Sequence, residues 1–282
     1  SLPNLLVTFS LYLLGKPLEN YQDYVFYPFS PPNPRLVDTF QQDLTFGLQR
    51  VIGVNPVVLR AVTRQNPLPA ALPESEIRRI FAEQIIEVDY AAALEQKRVY
   101  VLDYASLEIL QQNPGSIDGG RKQYVTTPIV VLFLQSDGLL QPLAIQLYQD
   151  ARPDNPVYTP KDGNLWLAAK MFAQVADGNH HILYTHATRI HYVMEAIIMA
   201  SRRQLYKSHP LSVLLNPHLQ HTLNVNHQHT FLRNQKGQPG RYGELFAGDY
   251  DATTQCMANA MTSFNFKASA FPNDIAKREV DN

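Results

Sequence analysis

All nine histidines of this 282-residue chain lie between His180 and His229. Imidazole is the side chain most used to bind metals and the one that titrates nearest neutrality. Crowding of this kind points to the stretch where chemistry is to be sought. The densest part reads His180-His181-Ile-Leu-Tyr-Thr-His186-Ala-Thr-Arg-Ile-His191, inside an apolar segment of helical character. His186 and His191 stand five residues apart. On a regular α-helix, turning about 100° per residue, they diverge by roughly 140°, whereas helical zinc motifs use a spacing of four. A turn bonded i→i+5 takes up one extra residue and brings such positions nearly into register, and π-bulges of this kind occur mostly at functional sites. The spacing therefore makes a structural demand: if both imidazoles hold one ion, the helix between them is π-distorted. His180 and His181 read equally as core imidazoles or as parts of the site. His209, His218 and His221 read as ordinary hydrogen-bonded residues, and His227 and His229 as loop or helix-end residues.

The elements around this segment follow from periodicity and turn chemistry. Residues 17–35 are rich in proline and aromatics, which favours an irregular packed arm. From Val37 to Ile52 apolar residues recur at helical spacing (Phe40, Leu44, Leu48, Val51, Ile52), with Gly53 and Pro56 as stop signals. A second helix is predicted from Glu74, with Ile77, Ile80, Phe81 and Ile85 on one face. Three apolar runs read as strands: Arg98 to Tyr104, Pro128 to Leu134 and Leu139 to Tyr148. The last two are joined by the tight-turn sequence Gln135-Ser136-Asp137-Gly138. A long helix is predicted from near Leu165 to about Tyr206. The expected fold is mainly α: a large helical body with a long central histidine-bearing helix and a small antiparallel β-sheet.

With 45% hydrophobic and 17% charged residues, the chain has an ordinary globular composition. A net charge of −1 with no run of Lys or Arg leaves no electrostatic footprint for nucleic acid. The single cysteine, Cys256, excludes an internal disulfide and fits a reducing, cytoplasmic compartment. It reads as a small buried apolar residue rather than a nucleophile. No apolar run approaches the ~20 residues that span a bilayer. Any peripheral membrane contact would need another device, such as the apolar stretch Leu5 to Leu14.

Further residues surround the histidines at fixed intervals. Trp166-Leu-Ala-Ala-Lys170 is followed by His181, Tyr184-Thr-His186, His191-Tyr-Val-Met-Glu195, Arg203-Gln-Leu205, His209-Pro210-Leu, Leu214-Leu-Asn-Pro217-His218 and Thr222-Leu223. This series resembles the iron-site helix region of the lipoxygenases. Gly53-Val-Asn-Pro56, the strand pair Pro128 to Leu134 with Pro142 to Leu147, Asn273-Asp-Ile and Arg278-Glu-Val-Asp281 resemble other elements of that family. The resemblance runs from about residue 20 to the end. It implies that His186 and His191 are iron ligands. It also implies that His181 stands behind them, orienting a ligand or fixing its tautomer. The implied reaction inserts dioxygen into a polyunsaturated fatty acid of the linoleate or linolenate type. A non-haem iron hydroxide abstracts a bis-allylic hydrogen, and a fatty-acid hydroperoxide results. Ile182, Leu183 and Ile197 then flank a dry acyl and oxygen channel. Glu195 is expected to be a buried carboxylate bonded to neighbouring helices.

The resemblance also breaks in places. After Leu223 the family continues Ile-Asn-x-x-Ala-Arg, where the small residue relates to the face that oxygen attacks. This chain has Val225-Asn226-His227-Gln228-His229, so Gln228 or His229 takes that position in the channel and the arginine is gone. The family's remaining iron ligands, a histidine on a second helix with an asparagine, histidine or serine four residues on, and a C-terminal isoleucine carboxylate, have no counterpart after His229. The expectation is a partial catalytic domain over residues 1–282, without the lipid-binding β-sandwich and partnered by a C-terminal half carried elsewhere. Standing alone, it should expose faces that a partner would bury. Two other readings compete: a non-catalytic fragment or interaction module with an incomplete metal site, and a zinc site formed by His186, His191 and Glu195.

Overall fold

The computed structural model describes residues 39–84, 87–117, 121–150, 152–233 and 246–281. The apolar stretch Leu5 to Leu14, the proline-rich arm, Val37 and Ile85 lie outside the described residues.

Five strands form one antiparallel sheet: β1 (Arg60–Ala61), β2 (Val99–Asp103), β3 (Ile129–Leu134), β4 (Leu140–Gln146) and β5 (Val157–Tyr158), in the order β1-β2-β3-β4-β5. The predicted hairpin joins β3 to β4, and Gly138 supplies the positive φ its turn requires (φ 82°). Side chains alternate across a strand, and here each face meets its own core. Tyr100, Leu102, Val130, Leu132 and Ile145 pack towards the helical body. Val99, Val101, Ile129, Val131 and Phe133 pack against α2 (Glu74–Glu83) and α3 (Tyr90–Glu95). Burial on both faces explains why the strands read as unbroken apolar runs.

The first helix, α1 (Asp43–Ile52), starts later than its periodicity predicts. Phe40 to Gln42 form a turn instead, with the Gln42 N–H donating to the Thr39 carbonyl, and the Gln41 carbonyl accepts from Lys170 Nζ at 2.6 Å. Its buried face is also not the apolar stripe. Phe46, Gly47 and Arg50 are buried, whereas Leu48, Val51 and Ile52 are exposed. Gly47 sets this orientation, because a Cβ there would lie 1.7 Å from the Leu140 carbonyl oxygen of β4. In α2, Ile77, Ile80 and Phe81 are buried as the pattern predicts.

After the short α4 (Glu108–Gln112), the long helix runs from Asn164 to Gln204 in three parts: α5 (Asn164–His180), a π-helical segment His181–Tyr192, and α6 (Val193–Gln204). It is followed by α7 (Pro210–Leu215), α8 (Thr222–Arg233), α9 (Tyr250–Thr262) and α10 (Phe271–Arg278). Helix α9 lies along the π segment. Its buried positions Ala252, Cys256 and Ala260 are small and four apart, which permits close approach. Cys256 is fully buried and its thiol is pushed up to about 12 by burial, in keeping with an inert core residue. Among the described residues, Leu165, Phe172 and Val175 on α5 and Val54 beyond α1 are exposed. No described helix is long and apolar enough to cross a membrane.

Candidate metal centre

The long helix changes character over one turn. At its α-helical end the polar side chains bond one another. Asp177, in the last turn of α5, pairs with Arg50 of α1 (2.9 Å) and accepts from Tyr104 Oη (2.7 Å) and Asn55 Nδ2 (2.9 Å). Arg50 and Asp177 are both buried, so each neutralises a charge that water cannot reach. His180 joins this group: its Nδ1 lies 3.2 Å from Asn55 Nδ2 and its ring stacks on Tyr184 at 4.9 Å. Burial pushes His180 down to about 3, with smaller contributions from Arg189 and His181. It is a neutral core imidazole. Of the two readings left open for it, the structure selects the structural one.

Asn55 then reaches forward into the π segment, where its Oδ1 accepts from Thr185 Oγ1 at 3.0 Å. One side chain thus ties the last α turn to the first π turn. Thr188 holds the wide turn from within. Its hydroxyl donates to the Leu183 carbonyl five residues back, at 2.6 Å, and the Val193 N–H bonds the Thr188 carbonyl, again five back. The π distortion demanded by the histidine spacing is present, and it extends over twelve residues.

Its consequence is that side chains five apart stand next to one another, with their rings tilted. The His186 and His191 ring centroids are 4.7 Å apart, and those of His181 and His186 are 5.6 Å apart. With metal–nitrogen bonds of ~2.1 Å, two imidazoles at right angles on one ion have centroids roughly 4.5 Å apart. The His186–His191 pair therefore fits a shared cation in spacing and in donor type, since imidazoles suit iron, zinc and other first-row metals. His186 is exposed, and burial, with the neighbouring His191 and His181, lowers its pKa. His181 is partly buried, with Nδ1 enclosed and lacking a hydrogen-bond partner among the described residues. Among the described residues no third His, Cys, Asp or Glu completes a ligand set.

His191 is held from outside its helix. Its Nδ1 lies 3.0 Å from Oδ1 of Asn226 on α8, whose Nδ2 donates to the His191 carbonyl (3.1 Å) and to Glu195 Oε2 (3.0 Å). Glu195 is bonded to one neighbouring helix, as expected, but is half-buried rather than buried. Of the proposed channel residues, Ile182 and Ile197 are half-buried, and Ile182 packs against the core. Leu183 lies entirely within the core. Gln228 is exposed on α8, and the His229 side chain is outside the described residues. His209 caps α7 through its Nδ1 (3.2 Å from the Leu211 N–H), in line with its ordinary reading.

Asn55, Asp177, Thr188 and Asn226 went unassigned by sequence reasoning. The signals were there: a Gly-x-Asn-Pro element, a carboxylate three residues before His180 within an apolar helix, and an asparagine in the segment where the family pattern breaks. None reveals its partner, because those partners lie far away in the chain.

A mainly helical body, a flanking antiparallel sheet and a π-helical histidine turn define an α-rich domain whose central helix carries a closely spaced histidine pair. Known proteins of this build place it further. The lipoxygenase family model matches residues 16–282. The linoleate 9/13-lipoxygenase of Pseudomonas aeruginosa is 32% identical over 259 residues, covering 88% of this chain and 36% of that protein. The hydroperoxide isomerase ALOXE3 of Homo sapiens is 37% identical over 243 residues, covering 85% of this chain and 32% of that protein. Among solved structures, coral 8R-lipoxygenase superposes with a TM-score of 0.79 at 25% identity, covering 97% of this chain and 40% of that one. The chain belongs to the lipoxygenase family, and it spans about a third of the length of the curated relatives it matches.

Proposed function

We propose that this chain contributes the paired-histidine half of a non-haem iron centre that oxygenates polyunsaturated fatty acids. The observation that carries the proposal is the 4.7 Å approach of the His186 and His191 rings on a π-helical turn, in a chain of the lipoxygenase family. His186 and His191 would hold the ion through neutral ring nitrogens. Iron, when bound, supplies the one-electron couple that hydrogen abstraction from a 1,4-pentadiene and capture of dioxygen require. The protein's own part is placement and exclusion of water. Asn55 and Thr188 keep the turn wide, and the half-buried Ile182 and Ile197 offer apolar surface beside it for an acyl chain. Leu183 supports that surface from the core below; Gln228 and His229, carried by α8, remain candidates for the oxygen channel by the family resemblance alone. Two imidazoles are too few to retain iron, so we assign the remaining ligands to polypeptide outside these 282 residues.

The test is metal analysis of the full protein together with conjugated-diene absorbance and oxygen uptake on linoleate. About one iron per chain and oxygen-dependent diene formation are expected, both lost in His186→Ala and His191→Ala. Iron-free protein with neither signal would leave the non-catalytic reading standing, and zinc in place of iron would favour the His186, His191 and Glu195 alternative. The name of the human relative favours one further reading, isomerisation of a fatty-acid hydroperoxide. That reading predicts hydroperoxide loss without oxygen uptake.

A further inference from the structure

We infer that Asn226 is a positioning residue that fixes the tautomer of His191, presenting Nε2 rather than Nδ1 to a metal ion. Asn226 is buried, at 3% exposure, and its amide makes three contacts, all to the long helix. Their chemistry determines which way the amide faces. The His191 carbonyl can only accept a hydrogen bond, so the group 3.1 Å from it must be the amide nitrogen. The second amide proton is taken by Glu195 Oε2 at 3.0 Å. The amide oxygen is then the atom 3.0 Å from His191 Nδ1. Rotating the amide by half a turn would set its oxygen against two acceptor oxygens, losing two buried bonds for one reversed bond to the ring. An amide oxygen carries no proton, so Nδ1 must donate. In a neutral imidazole the other nitrogen then keeps its lone pair. Nε2 of His191 is left as the ligating atom.

The same contacts set the ring's direction. Asn226 grips the main chain and the ring of His191 at once, so the ring turns little without breaking a buried bond. Glu195, one α-helical turn further on, holds the amide in place through its carboxylate. His181 does not serve this purpose for His191: its own Nδ1 is unpartnered among the described residues, and its ring lies beside His186. The metal-binding consequence rests on His186 and His191 being ligands. The tautomer rests on the hydrogen bonds alone.

The first measurement is a long-range proton–nitrogen correlation on the full protein, metal-free and labelled with nitrogen-15 histidine. His191 is expected to carry its proton on Nδ1; a proton on Nε2 overturns the inference without recourse to any variant. The second compares Asn226→Leu with Asn226→Asp, titrated with ferrous ion and with cobalt(II) as probes. Asn226→Asp retains an acceptor at Nδ1 and is expected to keep the tautomer. Asn226→Leu is expected to mix the tautomers and to weaken binding ~10–100-fold, the loss usual for a group that orients a ligand. Wild-type affinity in Asn226→Leu overturns the inference. If Asn226→Leu does not fold, Asn226→Asp decides: a proton moved to Nε2 there counts against it. Should the wild-type protein bind neither ion, the metal-centre reading fails, while the tautomer measurement still supports or overturns the role of Asn226.

Discussion

Two stretches of one helix carry histidines of opposite kinds. Around His180 the helix is regular and sealed: Arg50, Tyr104, Asn55 and Asp177 bond one another, and the imidazole is buried, stacked and neutral. Around His186 and His191 the helix is π-wound, the rings converge, and one of them is exposed. The difference teaches how the fold separates sealed imidazoles from exposed ones. The sealed stretch takes its polar partners from distant parts of the chain. The wide turn retains unused ring nitrogens and holds them close together. Asn55 belongs to both stretches, so the rigidity of the first is transmitted to the second.

This contrast can be broken by experiment. The largest effect is expected at the sealed end. Asp177→Ala leaves the Arg50 guanidinium buried without its counter-charge and should cost ~3–5 kcal/mol, read as a lower midpoint in urea unfolding. Little change there would mean that the pair is reached by water.

Acid provides the next test. His180 is held near 3 in the folded protein, below its ordinary value of 6.5. The unfolded chain takes up that proton first, so its contribution is complete above about 6.5 and is lost as pH falls towards 3. Within that window this residue alone should tilt stability by ~1.4 kcal/mol per pH unit. Stability measured from pH 7 to 4 should show the slope, and His180→Phe should flatten it. An unchanged slope would place His180 in water.

Thr188→Val keeps the shape of the side chain and deletes the hydroxyl that bonds the Leu183 carbonyl. It should cost ~1 kcal/mol, with faster amide exchange within 181–192 than within 193–204. Equal exchange in the two stretches would show that the wide turn does not depend on Thr188. The smallest effect on stability belongs to His186→Ala, an exposed position, where a change below ~0.5 kcal/mol is expected despite loss of the proposed metal site. A large destabilisation would put His186 with His180 rather than opposite it.

Much of the fold was legible because local pattern coincides with tertiary need. The strands β2, β3 and β4 are largely apolar, since both sheet faces are covered, and the hairpin turn declares itself in Ser136-Asp137-Gly138. Helix α1 was misread where the two diverge. Its apolar stripe faces solvent, and its buried face consists of Phe46, a glycine that must admit a backbone carbonyl, and an arginine whose partner lies on α5. Of the site, the spacing of His186 and His191 and the π turn it requires could be read directly. The anchors could not.

That division has a physical origin. Spacing along a helix is a property of neighbouring residues, so the chain alone determined that these two imidazoles share a face only on a widened turn. Whether a given imidazole is sealed or available depends on which polar groups arrive from elsewhere, and only packing brings Asn55 to Asp177 and His180, and Asn226 to His191. Tertiary structure sealed one histidine in the core and left another exposed on the widened turn.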